Sequence, residues 1–112
     1  MATLQSTVDF ITSQIDNAGM ITSRKMFGEY ALYCEGKVIA FVCDDQLFLK
    51  PTKEAKEFFP DATDAPAYPG SKMYMLIPSE KWDDREFMSE LVTITYSALP
   101  AVIPKRVKKL KS

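Results

Sequence analysis

The stretch from Arg24 to Pro51 constrains the fold of this chain more than any other. It holds three runs rich in β-forming residues, Glu29 to Cys34, Lys37 to Cys43 and Gln46 to Lys50, separated by Glu35-Gly36 and Asp44-Asp45. Two residues are enough for a tight turn but far too few for the crossover that parallel strands require. The runs must therefore be antiparallel neighbours. Pro51 has no N–H to give to the ladder and ends the third run. Ile21 to Met26 reads as one more strand, leading into Phe27-Gly28, where Gly28 permits a bulge or sharp bend.

The flanking segments change period. Leu4, Val8, Ile11, Ile15 and Ala18 recur at spacings of four and three, the stripe of an amphipathic helix over residues 3–18, with Phe10 beside it. Asn17-Ala18-Gly19 ends that helix, with Gly19 expected in the left-handed cap conformation. Thr52 caps a short helix to Phe59, with Ala55, Phe58 and Phe59 on its apolar side. Residues 60–72, with three prolines and a glycine, read as an irregular loop. Met73 to Ile77 is a fifth strand, and a long helix runs from Asp83 or Asp84 to about Leu99. Its buried stripe is expected to be Phe87, Leu91, Ile94 and Ala98, flanked by Met88, Val92 and Leu99. The order α-β-β-β-β-α-β-α describes a two-layer α+β domain, an antiparallel sheet of about five strands with helices packed on it. The chain's 112 residues suit one domain, over residues 1–103, followed by a basic tail at 104–112.

Several chemistries are excluded by residue type. The chain has no histidine, so the usual general base near neutral pH and every Ser–His or Cys–His pair are missing. Two cysteines cannot close a tetrahedral zinc site. With Glu35-Gly36 as the turn, Cys34 pairs with Lys37 and, counting outward, Cys43 pairs with Gly28. The thiols then lie roughly 20 Å apart along the ladder, far beyond disulfide reach. Asp44-Asp45 and Asp83-Asp84 suit a turn and a helix start, and no phosphate-binding loop is present. The expectation is a protein without catalytic residues, metal or cofactor. No apolar run reaches the length of a membrane span, and the N-terminus lacks the basic and apolar regions of a secretory signal, which predicts a cytoplasmic protein.

Two features remain. Phe27, Tyr30, Tyr33, Phe41 and Phe48 fall in the sheet, with Arg24, Lys25 and Lys50 close by. The rings are expected to pack beneath the helices; the alternative is a sheet that stacks bases, as RNA-recognition sheets do. The tail carries Lys105, Arg106, Lys108, Lys109 and Lys111, so the last eight residues hold +5 and the preceding 104 hold −6 of a net −1. Such a tail is either solvated or supplies salt-dependent contact with nucleic acid or an acidic protein face.

The segment Arg24-Lys25-Met26-Phe27-Gly28-Glu29-Tyr30-Ala31-Leu32-Tyr33 resembles the R-x-M-F-G-G-Y-G-L-Y motif of the TfoX/Sxy family N-terminal domain. Asp44 to Lys50 is similar to that family's D-x-L-Y-L-K strand. Met73-Tyr74 and Pro78-Ser79-Glu80 resemble its M-x-Y and P-E region. The resemblance covers about residues 5–100. It implies a secretion-chaperone-like two-layer fold and a non-enzymatic regulatory role. TfoX/Sxy proteins regulate DNA-uptake competence and act as co-activators with the cyclic-AMP receptor protein. Glu29 and Ala31 stand where the family has glycine. The expected form is the stand-alone domain, without the helical C-terminal domain of the longer regulators. A partner-facing surface is expected at Arg24, Glu29, Tyr30, Tyr33 and Lys50, with Met26, Phe27 and Leu32 serving the core. The implied partner is a protein, either a transcription component or a second copy of the chain. No small-molecule substrate is expected.

Overall fold

A computed structural model describes residues 4–26 and 29–99 of the chain. Phe27, Gly28 and the basic tail, with Lys105, Arg106, Lys108, Lys109 and Lys111, lie outside the described residues, as do the expectations made for them. Helix α1 spans Gln5–Ile15 and ends in a 3-10 turn, Asp16–Ala18. Strands follow at β1 (Ile21–Met26), β2 (Glu29–Cys34), β3 (Lys37–Cys43) and β4 (Gln46–Leu49). After α2 (Lys53–Phe58) come β5 (Thr63–Pro66), β6 (Met73–Ile77) and α3 (Arg85–Ala98). The six strands form one antiparallel sheet in the order β1-β2-β3-β4-β6-β5. Segment 60–72 is therefore not all loop. Thr63–Pro66 pairs with β6 as an edge strand, where proline at its end costs no interior ladder bond.

Both predicted turns form. Glu35 and Gly36 take positive φ of 51° and 86°, and Asp44 and Asp45 take 53° and 58°. Paired left-handed residues match the right-handed twist of the strands they join. The ladder between β2 and β3 does not run straight. Cys34 faces Lys37 and Tyr33 faces Val38, but Leu32 faces Ala40, so Ile39 is an extra residue in a bulge. The bulge corrects the expected register: carried on from Tyr30 opposite Val42, it sets Cys43 against Glu29 and not Gly28. The cysteines remain far apart, and both thiols are free and buried.

All three helices lie on one face of the sheet. Val8, Ile11 and Ile15 from α1, Ala55 and Phe59 from and beside α2, and Met88, Leu91 and Val92 from α3 pack on Leu32, Ile39, Val42, Leu49, Met75 and Ile77. The α1 stripe stands except at its start, since Leu4 and Phe10 are exposed. The buried line of α3 is turned relative to expectation: Met88, Leu91, Val92 and Thr95 face inward, while Phe87 and Ile94 are half-buried. Thr95 is accommodated because its hydroxyl donates to the Leu91 carbonyl at 2.9 Å. The predicted caps hold. Thr52 accepts from the Ala55 N–H at 3.0 Å, and Asp84 accepts from the Phe87 N–H at 3.0 Å. Gly19 takes φ +149°, ψ −165°, an extended mirror-image conformation and not the left-handed cap. A Cβ there would also sit 3.1 Å from the Cys34 Sγ.

Candidate functional site

Alternation along the strands divides the sheet residues between two faces. On β2, Leu32 and Cys34 point to the helices, so Glu29, Ala31 and Tyr33 point away. Cross-strand pairing sends Thr22, Arg24 and Met26 of β1 to that same side. On β3 the bulge turns both Ile39 and Ala40 toward the helices and Phe41 and Cys43 away. Phe48 of β4 and Tyr74 and Leu76 of β6 complete this helix-free face.

This face carries a small core of its own. Phe41 and Tyr74 belong to strands on either side of β4, and their rings meet edge to face with centroids 5.5 Å apart. Phe48 on β4 is 4% exposed, although none of the described helices covers it. The segment from Ala67 to Lys72 folds back over the same surface. Ser71 holds it together: its Oγ accepts from the Ala67 N–H at 2.9 Å and donates to the Lys72 carbonyl at 2.8 Å. Ala67 is buried by this arrangement, whereas Tyr68 stands 55% exposed on the surface.

Tyr68 borders several concavities, and two of them differ sharply in chemistry. One, of about 610 Å³, is lined by Met26, Glu29, Tyr30, Phe41, Cys43 and Tyr68. It is mainly apolar with one acid. The other, of about 370 Å³, is lined by Lys50, Pro51, Tyr68, Lys72, Met73 and Tyr74. It holds two ammonium groups and no acid. Burial, reinforced by the nearby Glu29 and Asp44 carboxylates, pushes the Cys43 thiol up from 9.0 to about 11. A thiol held neutral in this way is a poor nucleophile. Burial likewise raises the Tyr74 phenol, which stays a neutral donor. Among the described residues no group of three or more histidine, cysteine or carboxylate side chains is placed to hold a metal.

The five residues expected at a partner-facing surface separate cleanly. Arg24, Glu29, Tyr33 and Lys50 share the helix-free face. Lys50 does so because the β4–β6 register, carried one step past Leu49 opposite Met75, sets it against Tyr74. Tyr30 borders the apolar groove, but its side chain reaches to the helix side: the residue is 6% exposed and its hydroxyl donates to the Gln5 Oε1 at 2.7 Å, tying β2 to α1. The expectation that the sheet rings pack beneath the helices is thus correct for Tyr30 and wrong for Tyr33, Phe41 and Phe48. Nor does Met26 serve the core, being 38% exposed at the rim of the apolar groove. Tyr68, Lys72 and Tyr74 belong to this surface but were not expected there. For Tyr68 and Lys72 the sequence signal was a tyrosine beside Pro69-Gly70 in a segment read as loop, whereas Tyr74 lay in the expected fifth strand and in the Met73-Tyr74 stretch of the family resemblance. Among the described residues no helix is long and apolar enough to cross a membrane.

Comparison with known proteins relates the chain to a family and to a curated relative. The model of the TfoX N-terminal domain family matches residues 13–99. A protein of Spirochaeta aurantia, described as an uncharacterized 12.7 kDa protein in the trpE 5' region, is 36% identical over 108 residues. That alignment covers 96% of this chain and 93% of the relative.

Proposed function

Because this chain belongs to the TfoX N-terminal domain family, we propose that it is a non-enzymatic regulatory module that docks a protein through the helix-free face of its sheet. The observation that carries this reading is the convergence of Arg24, Glu29, Tyr33 and Lys50 on one open face around the exposed Met26 and Tyr68. Interface cores are enriched in aromatic residues, methionine and arginine, and this face offers all three on a rigid sheet. The family's regulatory role points to a transcription component as partner, with a second copy of the chain as the other protein that could cover the face. The mixed charge of the surface, with Glu29 beside Arg24 and Lys50, suits a protein surface that carries both signs of charge.

Direct titration of the chain with purified cyclic-AMP receptor protein and with RNA polymerase tests this reading. Sedimentation of the chain alone tests self-association. Binding or self-association should weaken by about tenfold or more when Tyr68→Ala and Arg24→Glu are combined, the loss of an aromatic anchor and the reversal of a charge. No binding to either protein by a chain that is also monomeric would sink the proposal.

A further inference from the structure

The basic pocket between Tyr68 and Tyr74 has a chemistry of its own at one end of the helix-free face. Lys50 and Lys72 both line it, and its lining contains no carboxylate. Among the described residues neither ammonium takes part in an ion pair; the salt bridges there join Lys56 to Asp64 and Arg85 to Asp16. The first 104 residues of the chain carry net −6, so two unpaired cations around one concavity are a local reversal of charge. Two cations around one concavity give it a positive potential that favours an anion.

The rest of the lining includes two aromatic rings. Tyr74 is half-buried and fixed by its edge-to-face contact with Phe41. Tyr68 is exposed but anchored at its backbone by the loop that Ser71 staples: its N–H donates to the Ser71 Oγ at 3.4 Å, and its carbonyl accepts from the Ser71 N–H at 3.0 Å. Pro51 and Met73 complete the lining. The volume of about 370 Å³ lies at the lower end of the range for small-ligand sites. A ligand suited to it has a flat ring to lie against tyrosine and an anionic group to meet two lysines.

We propose that this pocket binds a nucleoside phosphate unit, the base against Tyr68 or Tyr74 and the phosphate between Lys50 and Lys72. Base–aromatic stacking and charge-assisted hydrogen bonds to phosphate supply the affinity. The unit can come from a free nucleotide or from a single-stranded nucleic acid, and the same contacts serve both. The site shares Lys50 and Tyr68 with the docking surface, but its readout is nucleotide binding to the isolated chain, so it can fail while protein docking stands, and the reverse.

Amide shifts of the full chain, followed by two-dimensional NMR at low salt, test the assignment with AMP, adenosine, inorganic phosphate and a six-nucleotide single strand. AMP should give saturable shifts at Lys50, Tyr68, Lys72 and Tyr74. Adenosine and phosphate alone should bind at least about tenfold more weakly, since each lacks half of the recognised chemistry. The Lys50→Gln, Lys72→Gln double variant should lose about tenfold or more in AMP affinity. Tyr68→Ala, a change at an exposed side chain, provides the same test if the double variant fails to fold. A strand that shifts these residues while AMP does not, with the shifts lost in the variants, supports the site and identifies the strand as the source. Three results overturn it: no saturable shift with either nucleotide probe, adenosine binding as tightly as AMP, or binding unchanged in the variants.

Discussion

Cys43 shows how a residue unremarkable in the sequence acquires a definite property from its surroundings. Its thiol is 5% exposed on the helix-free face, against Phe48 and Ala67, with Glu29 across the ladder and Asp44 next in sequence. Desolvation and those two carboxylates favour the protonated form and raise its titration to about 11. In the unfolded chain the thiol titrates near 9.0. Between these values the unfolded state releases a proton that the folded state keeps, so stability falls as pH rises from about 9 to 11 and is unaffected below that window. The loss attributable to this group is on the order of 2 kcal/mol by pH 11. Urea unfolding at pH 8 and pH 10.5 should show a larger fall for the native chain than for Cys43→Ala. Equal falls in the two proteins would contradict the assignment. The same residue illustrates what could be foreseen. That Cys43 closes a strand and cannot reach Cys34 follows from turn spacing. Its cross-strand neighbour depends on the bulge at Ile39, which no residue type announces.

Two helix ends in this protein are capped by side chains that belong to other elements. Helix α1 has no side-chain cap from Leu4, its own N-cap residue. Asp45, from the β3–β4 turn, supplies one: its Oδ1 accepts from the Leu4 N–H at 2.9 Å and from the Thr7 hydroxyl at 3.0 Å. Helix α3 has no basic residue in its last turn. Lys37 of β3 takes that role, donating to the carbonyls of Tyr96 and Leu99 at 3.1 and 3.0 Å and lying 4.2 Å from the centroid of the Tyr96 ring. Local caps, by contrast, were legible at Thr52 and Asp84, because both partners lie within three residues. Replacing Asp45 by Gly keeps a residue tolerant of positive φ in the turn while removing the cap. The expected cost is about 1 kcal/mol in urea unfolding, with faster amide exchange in the first turn of α1. Unchanged exchange there would show that the turn, and not the carboxylate, holds the helix start.

At the scale of the whole molecule the sheet supports two unequal cores. The helix side buries Leu32, Ile39, Leu49, Met75 and Ile77 almost completely, whereas the buried residues described on the open side are fewer and mostly smaller: Ala31, Cys43, Phe48 and Ala67. Leu32→Ala should therefore cost about 2–5 kcal/mol, the range for a buried leucine. Met26→Ser, at the rim of the open groove, should stay within about 0.5 kcal/mol. Paired chemical denaturation distinguishes the two sides, and similar losses would mean that the open face is covered in solution. The sequence by itself determined the four consecutive antiparallel strands, their two turns, the flanking helices and the lack of histidine chemistry. Those follow from short-range rules: two-residue connections, apolar periodicity, caps and prolines. Tertiary structure alone decided which way the aromatic residues point. One extra residue at Ile39 reverses the side-chain alternation beyond it, placing Phe41 on the open face when strict alternation would have set it with Ile39 under the helices. It also decided that Lys50 and Tyr74, far apart in the chain, meet across a strand pair. Side-chain orientation in a sheet has a period of two, so a single bulge exchanges the buried and exposed faces, and a register between distant strands is set only when they pack.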